Sequence, residues 1–365
     1  MPEIILTNVT KRFGKFTAVD NLNLTIQNNA FITLLGPSGC GKTTTLRMIA
    51  GLEDPTEGSI SIDGRVVYDA DRGINLSPDK RDVGFLFQNY ALWPHMTVYQ
   101  NIAFGLENLK WDKPAIRDRV TQLLEMLKIE QFEERYPSEL SGGQQQRVAI
   151  ARTLAPKPQV LFMDEPLSNL DAKLRMEMRA ELKRLHIDTK ATFVYVTHDQ
   201  LEAMTLSTKV CIMENGALQQ YAPPLQMYAR PHNLFVADFM GNPPMNFLHG
   251  KASKDSMGTI KVEMNDWEAS FEPDQTISLE GEDVVLGIRP EYITINEDGH
   301  LPAQVYSTLP AGMETTVRLT LGKTPITAVV FGGVDYPFDS TVMLGFKGDN
   351  MMLFDKKSGE SIASG

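Results

Sequence analysis

Eight residues starting at Gly36 have the types and the spacing of a loop that holds phosphate. The run Gly36-Pro37-Ser38-Gly39-Cys40-Gly41-Lys42-Thr43 lies between an apolar stretch at 31–35 and a helical stretch ending before Gly51. Glycines allow backbone N–H groups to turn inward around phosphate oxygens, and the following helix adds the positive end of its dipole. We therefore expect nucleotide contacts from this run and the adjacent Thr44, with Lys42 reaching the β- and γ-phosphates and the Thr43 hydroxyl binding Mg²⁺. The alternative is a glycine-rich turn with an exposed lysine.

A second candidate site follows the apolar run Val160 to Met163, which ends in Asp164 and Glu165. This is the Walker B arrangement, in which Asp164 holds Mg²⁺ through water because Mg²⁺ gives up its water ligands reluctantly. Glu165 then lies where an attacking water needs a base or an orienting group. Alone, two acidic residues at a strand end are usually a helix cap or a solvated pair, but a phosphate loop upstream favours the catalytic interpretation.

A third element is the pentapeptide Leu140-Ser141-Gly142-Gly143-Gln144. It presents a hydroxyl and free backbone amides just before a helix begins, which is a place where an anion binds. The alternative is an ordinary helix N-cap at Ser141.

The pentapeptide, placed between a phosphate loop and a Walker B strand, resembles the signature motif of the ABC ATPases. That resemblance implies a Q-loop glutamine at Gln88, a D-loop at Ser168-Asn169-Leu170-Asp171, a switch histidine at His198 and an adenine-stacking aromatic at Phe13. Taken singly, Gln88, His198 and Phe13 are more often a surface amide, a structural histidine and a core aromatic. The implied catalytic residues are Glu165, His198 and Gln88, and the implied Mg²⁺ ligands are Thr43, Gln88 and Asp164. Further implied nucleotide contacts are Phe13, Asp164, Ser141, Gly142, Gly143, Gln144 and Asp171.

Segments across the rest of the chain resemble the carbohydrate-importer branch of this family, the maltose and glycerol-phosphate type. They are Thr197 to Met204, Gly241 to Phe247, Leu286 to Glu291 and Leu353 to Asp355. The last two resemble marks of its C-terminal β-domain, an oligonucleotide-binding-like barrel. The sequence departs from the branch at Asn242, at Ala311-Gly312-Met313 and in a small extension from Tyr68 to Leu76.

Apolar and helical stretches alternate in the first two thirds of the chain, which predicts an α/β fold with a mainly parallel sheet. The predicted strands are 31–35, 160–163 and 192–196, and helices are predicted at 43–50 and 171–188. After Pro243, short alternating runs such as 259–264 and 315–321 predict a small all-β barrel or sandwich. We therefore expect an ABC-type P-loop NTPase domain at 1–235, with a helical subdomain at about 89–155, and a C-terminal β-domain for regulation or dimerisation at 236–365.

Composition limits what else the chain can do. Its 365 residues contain no long apolar run, and the start Met1 to Leu6 lacks the features of a signal peptide, so a membrane role requires a partner. Residues 236–365 hold 9 Lys and Arg against 19 Asp and Glu, a net charge of −10 out of −11 for the whole chain, which argues against nucleic acid as a partner. Two cysteines, Cys40 and Cys211, fit a reducing compartment. Inward amides and Lys42 predict a thiolate at Cys40.

The expected function is that of an ATP-binding and ATP-hydrolysing subunit that energises an importer for a carbohydrate or related solute. By resemblance, its partners are membrane-spanning permease subunits, a second copy in a head-to-tail dimer and, indirectly, an external solute-binding protein, at the cytoplasmic face of the membrane. The permease is expected to contact the apolar residues Leu92, Trp93 and Met96, which could instead pack in the helical subdomain. Alternatives are import of glycerol phosphate or a polyamine, a soluble ABC ATPase acting on nucleic acid or ribosomes, and a sensor with a vestigial ATPase.

Overall fold

The structure, a computed structural model, describes residues 3–256, 258–264, 267–274, 279–296, 299–346 and 350–365. The chain folds as two compact units, the first ending at Leu225 and the second beginning at Gln226. Met1 and Pro2 lie outside the described residues. They begin the stretch Met1 to Leu6, which was expected not to be a signal peptide. No helix in the described part of the chain is both long and apolar enough to cross a bilayer.

The first unit contains eleven named strands. They are β1 (Ile4–Phe13), β2 (Phe16–Ile26), β3 (Phe31–Leu35), β4 (Glu57–Ile62), β5 (Arg65–Asp69), β6 (Ile74–Asn75), β7 (Val83–Leu86), β8 (Val160–Asp164), β9 (Thr192–Val196), β10 (Lys209–Glu214) and β11 (Ala217–Ala222). Its helices are α1 (Lys42–Ala50), α2 (Val98–Asn108), α3 (Lys113–Leu127), α4 (Gly142–Leu154), α5 (Ala172–Thr189) and α6 (Gln200–Leu206). Helix α7 (Pro224–Ala229) spans the boundary between the two units.

The central sheet confirms the α/β fold that the alternating pattern predicts. Its strand order is β11-β10-β3-β9-β8-β7, and every pairing from β10 to β7 is parallel. All residues of β3, β8 and β9 are buried, which explains their continuous apolar runs. Because the carboxyl ends of parallel strands meet at one edge, Leu35, Asp164 and Val196 bring the phosphate loop, the Walker B acids and the switch turn together.

A second, antiparallel sheet of five strands, in the order β2-β1-β4-β5-β6, was not predicted from the sequence. The extension Tyr68 to Leu76 contributes the end of β5 and all of β6 to it. Arg81 follows this sheet, and its guanidinium donates to the carbonyl oxygens of Met48 and Ile49 at the end of α1. The same guanidinium donates to the Leu76 carbonyl oxygen at 2.8 Å and to Asn75 Oδ1 at 3.2 Å, so Arg81 connects the extension to the C-terminal end of α1.

Helices α2, α3 and α4 form the region predicted as a helical subdomain. Thr97 and Gln100 form a capping box that begins α2, and Ser141 and Gln144 form one that begins α4. The apolar faces of the three helices join one hydrophobic core with α5 and the central sheet. This core fixes the position of α4, whose first turn carries the signature motif.

The second unit is built from two antiparallel sheets, as the alternating runs predict. Strand order is β14-β13-β12-β15-β21-β22 in one and β16-β20-β17-β18-β19 in the other. Its elements are α8 (Leu234–Phe239), β12 (Asn246–Lys254), β13 (Ile260–Glu263), β14 (Glu268–Phe271), β15 (Glu280–Ile288), β16 (Ile293–Ile295), β17 (Leu301–Pro310), β18 (Glu314–Leu321), β19 (Thr324–Phe331), β20 (Thr341–Phe346), β21 (Met351–Asp355) and β22 (Ser361–Ser364). Alternate residues of β18 are buried, the pattern of a strand with one face on a core.

The second unit begins about ten residues before the predicted boundary at 235. Arg289, fully buried in this unit, donates to the carbonyl oxygens of Tyr228, Ala237 and Met240, the first at 2.9 Å. The Tyr228 hydroxyl donates to Glu291 at 2.6 Å. Residues from the end of α7 onward are therefore bonded to the β-strands of the second unit, because a buried guanidinium needs acceptors.

Candidate functional site

The loop between β3 and α1 has the backbone conformation that the phosphate-loop pattern requires. Gly36 and Gly41 have φ angles of +152° and +101°. A Cβ at Gly36 would lie 2.2 Å from the Met213 carbonyl oxygen, and one at Gly41 would lie 2.4 Å from that of Ala18. Only glycine fits either position, because a side chain would meet immovable backbone and an unfavourable φ. The loop leads directly into α1 at Lys42, so the N-terminal amides of this helix face the loop.

Lys42 is buried at the start of α1, and its ammonium group is folded against the loop. Its Nζ donates to the carbonyl oxygens of Gly36 and Pro37, each at 2.8 Å. Two neutral carbonyls neutralise an ammonium only weakly, whereas phosphate oxygens carry full charge. A bound triphosphate would therefore compete favourably for this ammonium within the same loop.

The next residue connects the loop to the Walker B strand. The Thr43 hydroxyl donates to Asp164 Oδ1 at 2.8 Å, and Arg47 Nη2 lies 3.4 Å from Asp164 Oδ2. A hydroxyl and a carboxylate are the hard oxygen ligands that Mg²⁺ takes alongside its own waters, so this pair fits such an ion. The described residues contain no group of three His, Cys, Asp or Glu side chains able to hold a metal. A closed all-protein metal cage is therefore not part of the described structure.

Glu165 stands between Gln88 and His198, the other two residues that the resemblance implies to be catalytic. Its Oε2 lies 3.4 Å from Gln88 Nε2, and its Oε1 lies 3.4 Å from His198 Nδ1. The Glu165 backbone is left-handed, with φ +45°, and its N–H donates to the Val196 carbonyl oxygen at 3.1 Å. A strained backbone of this kind is typical of functional sites, where surrounding contacts hold it. Here the contact to β9 aims the carboxylate at the switch turn.

The D-loop packs beside these groups. Gln88 Nε2 also lies 3.4 Å from Ser168 Oγ, and Asn169 Nδ2 donates to the Gln88 carbonyl oxygen at 3.3 Å. Asp171 is the N-cap of α5, since its carboxylate accepts from the Leu174 N–H at 3.1 Å. The D-loop thus touches the Q-loop glutamine within one chain, while Asp171 is engaged in starting a helix.

The signature residues form the first turn of α4, and their hydrogen bonds stay within that turn. Ser141 Oγ accepts from the Gln144 N–H at 3.4 Å, and Gln144 Oε1 accepts from the Ser141 N–H at 2.8 Å. Gly143 is buried against Leu174, and a Cβ there would lie 2.5 Å from the leucine side chain. Ser141 is therefore an N-cap, the alternative considered above, and it is exposed to solvent.

Phe13 ends β1 with 48 % of its surface exposed. Lys11 Nζ lies 4.7 Å from the centre of its ring, and Phe16, across the β1–β2 turn, is 61 % exposed. An aromatic exposed to this degree is available to stack on a planar ligand. Both aromatics are exposed, and Phe13 is the one that the resemblance implies as the stacking residue.

The expectation of a thiolate at Cys40 is wrong. Cys40 is buried, and its burial raises the pKa of the thiol above its ordinary value, although the nearby Lys42 acts in the opposite direction. Lys42 Nζ is 3.7 Å from Cys40 Sγ but is bonded to the two loop carbonyls. Loss of hydration around the sulfur therefore outweighs the positive neighbour.

The expectation that Leu92, Trp93 and Met96 are exposed is only partly met, because all three are half-buried. Leu92 packs against the core of the first unit, as the alternative interpretation had it. The Trp93 ring centre lies 4.4 Å from that of Phe104. Only the exposed part of each of these three side chains is therefore available to contact a partner.

A buried carboxylate beneath the switch turn was missed from the sequence. Glu202 Oε2 accepts from the Tyr195 hydroxyl at 2.7 Å and from Thr197 Oγ1 at 2.6 Å, and Arg175 Nε lies 4.0 Å from Oε1. Burial raises the pKa of Glu202, although these two hydroxyls oppose the rise. Glu202 thus supports the backbone that carries His198. Because His198 precedes the N-cap Asp199 of α6, helical spacing does not relate it to Glu202, and the sequence carried no local signal for this role.

Three protein-family models match the chain. The model described as ABC transporter matches residues 19–168, the one described as MalK OB fold domain matches 241–293, and the one described as TOBE domain matches 286–354. The first match includes the phosphate loop, Gln88 and Glu165 but neither Phe13 nor His198.

Two relatives are similar along almost the whole chain. The trehalose/maltose import ATP-binding protein MalK of Thermococcus litoralis is 43 % identical over 99 % of this chain and 100 % of its own length. The xylose/arabinose import ATP-binding protein XacJ of Haloferax volcanii is 42 % identical over 99 % of this chain and 96 % of its own. Both alignments therefore extend over both units of this chain.

Among solved structures, the fold is similar to a dimeric ATP-binding cassette in a post-hydrolysis state bound to ADP and Pi. The TM-score is 0.53 and the identity 34 %, over 60 % of this chain and 98 % of the other. The extent of this match corresponds to one cassette.

Proposed function

The chain belongs to the ABC transporter family as the ATP-binding and ATP-hydrolysing subunit of an importer, and from this premise we propose that it powers the uptake of a carbohydrate. The relatives similar to it over 99 % of its length are named for import of trehalose and maltose and of xylose and arabinose. Relatives named for import of sn-glycerol-3-phosphate and for uptake of osmoprotective compounds, at 41 % and 44 % identity, support alternative solutes of these two kinds.

Phosphate binding is the first part of the mechanism. The glycine loop supplies backbone amides, and Lys42 exchanges the carbonyls of Gly36 and Pro37 for β- and γ-phosphate oxygens. In this proposal, Thr43 and Asp164 would hold Mg²⁺. The bound ion would neutralise negative charge on the phosphates. The exposed face of Phe13 stacks on the adenine.

Hydrolysis is the second part. Glu165 accepts the proton of the attacking water or orients it, and His198 and Gln88 fix the carboxylate from its two oxygens, each at 3.4 Å. Holding the base from both sides reduces the reorganisation needed in the transition state. The side chain of Asn169, a D-loop residue, donates a hydrogen bond to the backbone carbonyl oxygen of Gln88.

We further propose a head-to-tail pair of chains in which each phosphate loop faces Ser141 and Gly143 of the partner chain. The solved structures titled as dimeric cassettes support a pair of chains. Permease subunits at the cytoplasmic face of the membrane are proposed to contact the segment from Leu92 to Met96, and an external solute-binding protein acts through them. The acidic second unit is proposed to join the two chains.

The experiment is reconstitution of the chain with its permease subunits in vesicles. Hydrolysis is measured with the solute-binding protein loaded with maltose, trehalose, xylose, glycerol phosphate or a polyamine in turn. We expect stimulation by one of the sugars. Stimulation by glycerol phosphate or a polyamine alone would replace the proposed solute class, and a rate independent of permease and solute would remove the transport function.

A further inference from the structure

One arginine outside the catalytic set binds the turn that follows the Q-loop glutamine. Arg152 lies in the last turn of α4, and its Nη2 donates to the Tyr90 carbonyl oxygen at 2.7 Å and its Nη1 to that of Ala91 at 2.6 Å. The guanidinium carbon also lies 4.7 Å from the centre of the Trp93 ring. A single side chain thus contacts three of the four residues from 90 to 93.

The backbone that Arg152 holds is strained. Tyr90 and Ala91 have φ angles of +60° and +46°, so two consecutive residues other than glycine are left-handed. This conformation persists only where surrounding contacts determine it. The planar guanidinium donates to the two adjacent carbonyls from separate nitrogens held in a fixed geometry, whereas a lysine would offer one ammonium on a flexible stem.

The side of this turn that faces away from Arg152 contacts the segment that follows β8. The Tyr90 hydroxyl donates to the Pro166 carbonyl oxygen at 3.4 Å, and Asn169 Nδ2 donates to that of Gln88 at 3.3 Å. The turn therefore lies between Arg152 on one side and the residues around the Walker B acids on the other.

Helix α4 connects this contact to the signature motif. Arg152 lies eleven residues after the N-cap Ser141, which corresponds to about 16 Å along a rigid helix. If the N-terminal end of α4, which carries the signature motif, is displaced, the helix and the Arg152 side chain transmit this displacement to the turn after Gln88.

We propose that Arg152 is a positioning residue that locks the turn at 90–91 to α4, keeping Gln88 beside Glu165 and moving the segment after it together with the signature motif. The role in transport rests on the proposed function, whereas the effect on Gln88 does not.

The test compares Arg152→Met and Arg152→Lys with the matched control Arg119→Met. The Arg119 guanidinium also binds carbonyl oxygens near the end of α4, those of Leu154 at 2.8 Å and Ala155 at 3.3 Å. Burial lowers the pKa of both arginines. Arg119 lies on α3 and Arg152 on α4, and each methionine variant removes a half-buried cation near the C-terminal end of α4, but only Arg152→Met releases the Q-loop turn.

Two readouts use the isolated chain. The first is steady-state ATP hydrolysis, separated into kcat and KM for MgATP. The second is acrylamide quenching of Trp93 fluorescence. The other two of the three tryptophans, Trp111 and Trp267, are replaced by phenylalanine, so that only Trp93 contributes tryptophan fluorescence. A thermal unfolding midpoint for each variant measures the general loss of stability.

We expect Arg152→Met to lower kcat by about 10-fold or more at unchanged KM, because misplacing a positioned group by 1 Å can cost up to ~100-fold. Trp93 should become more accessible to acrylamide, and Arg152→Lys should restore part of the rate. Arg119→Met should change neither readout at a similar unfolding midpoint.

Three results would overturn the proposal: an unchanged kcat in Arg152→Met, unchanged quenching of Trp93, or the same losses in Arg119→Met. Because both readouts use the isolated chain, they are independent of whether a sugar is the transported solute. A failed vesicle experiment with these effects intact would contradict the proposed function and leave the role of Arg152 standing.

Discussion

Replacing Glu165 by glutamine isolates its role as a proton acceptor. Glutamine has nearly the same volume and the same backbone preferences, so the left-handed conformation at φ +45° should persist. The contacts of Thr43 and Lys42 do not include Glu165, so the phosphate-binding groups stay in place. The variant should therefore bind MgATP with an affinity close to that of the parent chain.

The magnitude follows from what the amide cannot do. It cannot take a proton from water, and it cannot keep an acceptor oxygen towards both Gln88 and His198, which now lie 3.4 Å from separate oxygens of Glu165. Loss of one positioned base lowers a rate by about 10²–10⁴-fold. At least ~100-fold in kcat is expected, about 2.7 kcal/mol in the barrier.

The assay is single-turnover hydrolysis of MgATP, with nucleotide affinity measured separately by equilibrium binding. Glu177→Gln, an exposed position on α5, is the matched control and should hydrolyse ATP at the parent rate. A Glu165→Gln rate within tenfold of the parent rate would refute the assignment of the base. A loss of nucleotide binding would instead place Glu165 among the phosphate-binding groups.

Other variants separate the remaining roles at the site. Lys42→Ala should abolish hydrolysis, and detectable turnover would contradict its phosphate role. Phe13→Ala should weaken ATP and GTP binding alike, by about 1 kcal/mol; unchanged affinity would assign the stacking face to Phe16. A thiol reagent should react slowly with Cys40 at neutral pH and about tenfold faster per pH unit, because burial raises its thiol pKa and only the thiolate reacts. MgATP should protect Cys40, whereas Cys211, whose pKa is raised to about 12, should stay unlabelled; equal labelling with and without MgATP would contradict the site.

The phosphate loop was predictable because its residue spacing is local, whereas Gln88 and His198 were inferred only from the resemblance to a family. A glycine loop between a strand and a helix needs only neighbouring residues, and the structure places Lys42, Thr43 and Asp164 together at the edge of the sheet. The contact of Arg152 with Tyr90 joins positions 62 apart in the sequence, so no local pattern announces it.

The errors arose where tertiary packing decides. Local charge suggested a thiolate at Cys40, but burial raises the pKa of the thiol. Leu92 was expected to face a partner, yet it packs against the core. The second unit begins at Gln226 and the expected boundary was at 235; the bonds of Arg289 to Tyr228 and Met240, which join these residues to the second unit, cannot be seen in the sequence.

The central claim is that hydrolysis at this site drives uptake through a membrane partner. The most direct measurement is uptake of labelled maltose, trehalose and xylose by cells in which the gene has been deleted and then restored with the parent chain or with Glu165→Gln. The parent chain should restore uptake of at least one sugar, and Glu165→Gln, produced at an equal level, should restore none. Normal sugar uptake in the deleted cells, or equal restoration by both chains, would contradict the account.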